Sequence, residues 1–178
     1  MRSQLPPALD RARATIEQLT EFCRMTLFRP ESGAHPSLGE ELRLLRAYLD
    51  IEQTRWGDLL TVEIDVAPAT ETQPLPPLLL LPLVENALKY GRSSQTGALT
   101  IRIAAQLDSA GALQLEIGNT GAWIKSADSP SVPSLGIGLE NLRQRLRRYY
   151  PDAHEFTTDS REGWVSVRLK LLRPALVV

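Results

Sequence analysis

Glu85, Asn86 and Lys89 bring together the groups needed to handle a metal and a phosphate. The Asn amide and the carboxylate beside it offer oxygen ligands to a hard cation such as Mg²⁺, and the ammonium is a point charge suited to a phosphoryl group. Taken alone, the three residues fit a plainer account, an i,i+4 Glu–Lys pair on the solvated edge of a helix. Two glycine-bearing runs downstream weigh against it. Glu116-Ile-Gly-Asn-Thr-Gly121 sets the amide of Asn119 beside a glycine that lets a ligand approach the backbone. Gly136-Ile-Gly138 opens the run to Leu146, and a glycine-rich approach to a helix leaves free N–H groups at a positive dipole end, a ready anion site.

Such residues need elements to hold them. In Leu75 to Gly91, Leu80, Leu83, Val84, Ala87 and Leu88 recur at helical spacing, so one side faces a core while Pro82, Glu85, Asn86 and Lys89 share the other. Leu60 to Val66 alternates apolar and polar residues, as do Leu99 to Ile103 and Leu113 to Ile117. The last two are joined by Asp108-Ser-Ala-Gly111 and read as a hairpin, with Asn119 ending its second strand. Val165, Val167, Leu169 and Leu171 give a final strand after the turn Arg161-Glu-Gly163. Leu139, Leu142 and Leu146 form the apolar side of the helix that Gly136 and Gly138 lead into. Strands with one buried and one exposed face place the helices on one side of a sheet, an α+β sandwich of two layers. Upstream, Ser37 and Glu40 make a capping box for a helix over Leu38 to Trp56, which Gly57-Asp58 ends. Leu9, Ala12, Ile16, Leu19, Cys23 and Thr26 make an imperfect a/d seam within a helix from Pro7 to Phe28, suited to another helix or to the helix's own domain.

The bulk numbers exclude several classes. Twenty basic against 21 acidic residues, a net charge of −1, exert no general pull toward nucleic acid or anionic membrane, so phosphate recognition has to be local. The basic residues Arg143, Arg145, Arg147 and Arg148 sit on one helix, where the last two complement its C-terminal dipole. A single cysteine, Cys23, rules out an internal disulfide and a multi-Cys zinc site. No apolar run approaches the roughly 20 residues that span a bilayer, and no signal peptide is visible. The two histidines, His35 and His154, read as loop residues.

The resemblance is specific. PLVENALKYG, IGNTG and GIGLENLRQRL, in that order, are similar to the N box and the first and second glycine boxes of the GHKL ATPase superfamily, in the version carried by sensor histidine kinases of the LytS/YehU type. It runs from about Arg11 to Leu172, with ARATIEQLTEFCRMTL resembling the second helix of the dimerisation and phosphoacceptor region. It implies a Bergerat-type ATP-binding sandwich, with a mixed, mostly antiparallel sheet over 58–178, and a helical remnant of the dimerisation region plus connector over 1–57. Ile124 to Leu135, rich in Ser and Pro, takes the place of the mobile ATP lid.

The resemblance also implies the site. Asn86 binds Mg²⁺, and Glu85 orients or deprotonates the acceptor histidine. Asn86, Lys89, Tyr90, Asn119, Gly121, Gly136, Gly138, Leu139 and Arg143 hold ATP, with Asn119 on the adenine amino group. Asn119 stands where the family more often has Asp, and Trp123 where it has a second glycine. Pro82 occupies the position at which hydrolytic members place a water-activating Glu, which points to a histidine nucleophile and away from a free-standing ATPase. No acceptor segment of the NPHFLFN type is present, so the γ-phosphoryl acceptor is a histidine outside this sequence, and the chain by itself is expected not to autophosphorylate. Implied partners are ATP, a response regulator and a second copy in a homodimer, with no nucleic acid and a membrane only through a sensor region. That makes this the cytoplasmic portion of a membrane-anchored kinase. The alternative is a degenerate, non-catalytic nucleotide-binding or dimerisation module that signals by conformation.

Overall fold

The computed structural model describes residues 35–94, 97–122 and 135–172. The seam at 7–28, with Cys23, lies outside the described residues, as do Trp123 and the Ser/Pro-rich 124–134. In order, the elements are α1 (Leu38–Trp56), β1 (Leu60–Val66), α2 (Leu81–Ser94), β2 (Leu99–Leu107), β3 (Leu113–Thr120), α3 (Leu135–Tyr149), β4 (His154–Arg161) and β5 (Trp164–Leu171). The five strands form one sheet in the order β1-β2-β3-β5-β4. Only β1 and β2 run parallel; the other pairs are antiparallel. The fold is the two-layer α+β sandwich that the alternation implied.

Register explains the layering. Ile103 pairs with Ile117, and Ile117 with Val167. Ala105, Leu115 and Leu169 form the next row across the same face. These rows join Leu38, Leu42, Leu45 and Leu49 of α1, Leu83, Val84, Ala87 and Leu88 of α2, and Leu139, Leu142 and Leu146 of α3 in one core, so the three helices share one face of the sheet. The other face is built from polar pairs. Arg102 meets Glu63 at 2.8 Å, Arg168 meets Glu116 at 3.1 Å and Lys170 meets Asp108 at 3.0 Å. Trp164 lies flat on Gly118, where a Cβ would come 2.5 Å from its indole nitrogen, and the Arg102 guanidinium sits 5.5 Å from the Trp164 ring centroid.

The capping box at the start of α1 is formed as its sequence implied: Glu40 N–H donates to Ser37 Oγ (3.2 Å) and Ser37 N–H to Glu40 Oε2 (2.7 Å). Gly57 ends the helix at φ 58°, a backbone region that favours glycine. Residues 154–161 depart from expectation. His154 opens a strand instead of standing in an exposed loop, and it is half-buried with Nδ1 donating to Tyr150 O at 2.7 Å. Glu162 and Gly163, both at positive φ, close the hairpin from β4 to β5 with the backbone signs of a type I′ turn. His35 does lie in a loop, but half-buried and edge-on to Tyr149. Among the described residues no helix is long and apolar enough to cross a membrane.

Candidate functional site

Helix α2 is placed by the segment before it. Leu75, Leu79 and Leu80 are fully buried, which fixes the approach to the helix before its first turn. Glu41 of α1, only 5% exposed, accepts the N–H groups of Leu78 (2.6 Å), Leu79 (3.0 Å) and Leu80 (3.3 Å), so a carboxylate from another helix anchors the three residues just before α2 near its positive end. Pro82 is the second residue of α2, where a missing N–H costs nothing. Leu83, Val84, Ala87 and Leu88 then face the core, while Glu85 and Lys89 are exposed and Asn86 is half-buried, which is the division of faces read from the spacing. Tyr90 continues the helix.

At its far end α2 meets the strand that carries Asn119. A Cβ on Gly91 would overlap the Leu99 side chain and come 3.2 Å from Asn119 Nδ2, so glycine is what allows helix and sheet to approach this closely. Asn119 is 5% exposed, a polar residue on the helix-covered face of the sheet. Its Nδ2 donates to Thr120 O at 2.9 Å, which turns Oδ1 into the free acceptor, and no donor among the described residues reaches that oxygen. A buried acceptor left open in this way fits a ligand that brings an N–H, such as an amino-substituted heterocycle. Gly121, two residues on, sits at φ 136° with its N–H on Gly163 O at 2.8 Å, which ties this run to the β4–β5 turn.

The third group comes from α3. The helix starts at Leu135, so Gly136 and Gly138 lie within its first turn and do not precede it. The N–H groups at the very start of a helix have no partner within it, and that of Gly136 is among them, whereas Gly138, the fourth helical residue, already points its N–H back along the helix. Leu139 is in the core, so its side chain faces away from any ligand and only its backbone is available to one. Arg143 lies on the β4 flank of α3, its guanidinium 5.0 Å from the Phe156 ring centroid and 3.9 Å from Glu140. Arg145, left without a role by the sequence, reaches the opposite way and donates to Pro77 O (2.9 Å) and Leu78 O (2.8 Å).

Charge is tuned where α1 meets α2. Partial desolvation pushes the Glu85 carboxyl above the ordinary glutamate value even though solvent reaches the side chain. Tyr48 of α1 is pushed up to about 12, first by burial and then by the carboxylates of Glu52 and Glu85. Burial also raises Glu41, against the pull of its three N–H donors and of Arg145. Among the described residues no three His, Cys, Asp or Glu side chains gather as a metal cluster. Asn86 brings a single oxygen, which suits Mg²⁺ only where phosphates supply further ligands. Of the residues that matter here, sequence reasoning passed over Gly91, Glu41 and Arg145. Two of them leave a signal: a glycine inside a helical pattern, and an acid at position 41 on the apolar stripe of α1.

A family model described as histidine kinase matches residues 5–60. The sensor histidine kinase BtsS of Escherichia coli K12 is 31% identical over 144 residues, 80% of this chain and 24% of BtsS. The sensor protein LytS of Staphylococcus haemolyticus is 29% identical over 149 residues, 79% of this chain and 25% of LytS. The chain belongs to the LytS-type sensor histidine kinases. It spans about a quarter of the length of those two relatives, and 52% of YwpD from Bacillus subtilis, with which it is 32% identical over 145 residues. Among solved structures, the histidine kinase domain of the blue-light activated kinase of Erythrobacter litoralis superposes with a TM-score of 0.56 over 97% of this chain and 76% of that one, at 17% identity. The catalytic domain of ThkA gives 0.55 over 76% and 92%, at 18% identity. Likeness at that identity carries the fold alone. The helix α2, the end of β3 and the start of α3 carry the three runs that resemble the N box and the two glycine boxes.

Proposed function

We propose that this chain is the catalytic core of a two-component sensor histidine kinase that binds Mg·ATP and passes its γ-phosphoryl group to a histidine other than His35 and His154, for relay to a response regulator. The observation that carries the reading is the meeting of the N-box helix with the first glycine box: Gly91 abuts Asn119, whose buried Oδ1 is open to an incoming N–H. Asn119 would accept from the adenine amino group, with Gly121 allowing the base close to the backbone. Asn86 would place its oxygen on Mg²⁺ and Lys89 its charge near the phosphates, while the first-turn N–H of Gly136 takes a phosphate oxygen and Gly138, with no side chain, lets the phosphates close to the backbone. Bound Mg²⁺ neutralises charge on the transferring group. Glu85, its carboxyl raised toward neutrality, would orient the attacking imidazole or take its proton. With proline at position 82 no carboxylate stands one turn before Asn86 to activate water.

In this reading α1 is the connector and 58–178 the nucleotide-binding unit, the two joined through the core that α1 shares with the other helices. In the whole protein, the segment up to 57 would bring two copies together, on the cytoplasmic side of a membrane reached through a sensor region. A calorimetric titration with Mg²⁺ and a non-hydrolysable ATP analogue tests the site. Saturable, magnesium-dependent binding that Asn86→Ala abolishes is expected, and no binding to the folded, unsubstituted chain would overturn the reading. If the chain binds but transfers nothing once an acceptor segment is supplied, it is a non-catalytic nucleotide-binding module.

A further inference from the structure

Residues 77–80, which lead into α2, are gripped by both neighbouring helices at once. Glu41 of α1 holds three consecutive N–H groups, those of Leu78, Leu79 and Leu80, and Arg145 of α3 holds the carbonyls of Pro77 and Leu78. Between them Leu78 stands at φ 56°, a conformation that an L side chain keeps only where its surroundings over-determine it. The neighbouring backbone is tied down as well: Tyr150 Oη donates to Pro74 O (3.1 Å), Leu75 N–H to Pro36 O (2.7 Å) and Leu38 N–H to Gln73 O (2.7 Å). Asn86 lies less than two turns beyond Leu80, so a shift at the start of the helix is carried to it along a rigid rod.

We propose that Glu41 is a positioning residue for the nucleotide site: together with Arg145 it fixes where α2 begins, and so where Asn86 stands relative to Asn119 and the first turn of α3. The proposal rests on the Mg·ATP reading of that site. Glutamine at position 41 keeps the shape but has a single acceptor oxygen, and its amide hydrogens would face backbone donors, leaving at least one of the three N–H groups unpaired. The test is the titration with Mg²⁺ and the non-hydrolysable ATP analogue on the unsubstituted chain, Glu41→Gln, Arg145→Gln and Leu49→Ala, at a temperature where circular dichroism shows each to be folded. Leu49 is a core residue of α1 that makes none of the hydrogen bonds to residues 77–80, and its truncation serves as a control for lost stability alone.

Glu41→Gln and Arg145→Gln are expected to weaken binding by about fivefold or more, the lower end of the coupling between linked sites, while Leu49→Ala stays within about twofold of the unsubstituted chain. Equal affinity in Glu41→Gln, or equal weakening in Leu49→Ala, overturns the positioning role and leaves the nucleotide reading standing. Failure of the unsubstituted chain to bind removes that reading and the positioning role with it. If Glu41→Gln does not fold, Arg145→Gln, which loosens the same segment from the partly exposed side of α3, decides the matter on the same scale.

Discussion

The two faces of the sheet use polar residues in opposite ways. The outer face carries Glu63–Arg102, Glu116–Arg168 and Asp108–Lys170, ion pairs whose members mostly meet solvent, where water and salt screen their attraction. The inner face is apolar from Leu99 to Ala105 and from Leu113 to Ile117, and then it carries Asn119. Charge is plentiful where it matters little, and one neutral amide stands where an unpaired group is costly. A polar residue that burial makes expensive points to a site more reliably than a row of exposed charges does.

The contrast can be broken on the inner face first. Ile117→Ala, two residues before Asn119 on the same face, should lower unfolding free energy in urea by about 2–5 kcal/mol and leave the nucleotide affinity of the folded protein unchanged. Asn119→Leu should do the reverse. It removes an open acceptor from apolar surroundings, so stability is held or raised, while affinity for the ATP analogue falls by about tenfold to a hundredfold. If Asn119→Leu destabilises as much as Ile117→Ala, the amide is a structural fixture and the contrast fails.

The smallest effect belongs to the outer face. The Lys170 ammonium, and then the N–H of Ala112, hold the Asp108 carboxyl below the usual aspartate value. A depressed folded value means that the contribution is fully present above the unfolded value of about 3.9 and is lost as pH falls through the folded one. Asp108→Asn should flatten only that acid limb of the stability profile. A stability loss at neutral pH comparable to that of Ile117→Ala would show that the outer pairs matter more than their exposure implies.

Much of this molecule was legible in the residues because the signals were local. The capping box at Ser37 and Glu40 lies within four residues, and the alternation in β1, β2, β3 and β5 repeats every second one. Strand β4 was not legible. As an edge strand it exposes most of HEFTTDSR, so no apolar alternation marks it, and its identity comes from pairing with β5. The faces of α2 and the place of Asn119 at the end of β3 followed from spacing. The grip of Glu41 and Arg145 on residues 77–80 did not, because those bonds join positions 37 or more residues apart and no periodicity encodes such a pair. The start of α3 came one residue before Gly136, since backbone geometry and not composition decides where a helix begins.

The parallel pairing of β1 with β2 bears on how this core assembles. Hairpins β2–β3 and β4–β5 close through short turns and can form as soon as their residues are made, whereas β1 ends at Val66 and β2 begins at Leu99, with the whole of α2 between them. Loop closure must be met before such a contact is rewarded, so on contact order β1 joins after the hairpin β2–β3, and the pairing of β3 with β5, whose partners lie further apart in the chain, comes later still. Helix α1 leads directly into β1. The segment that would connect this core to whatever lies upstream is therefore seated against a hairpin that can form without it.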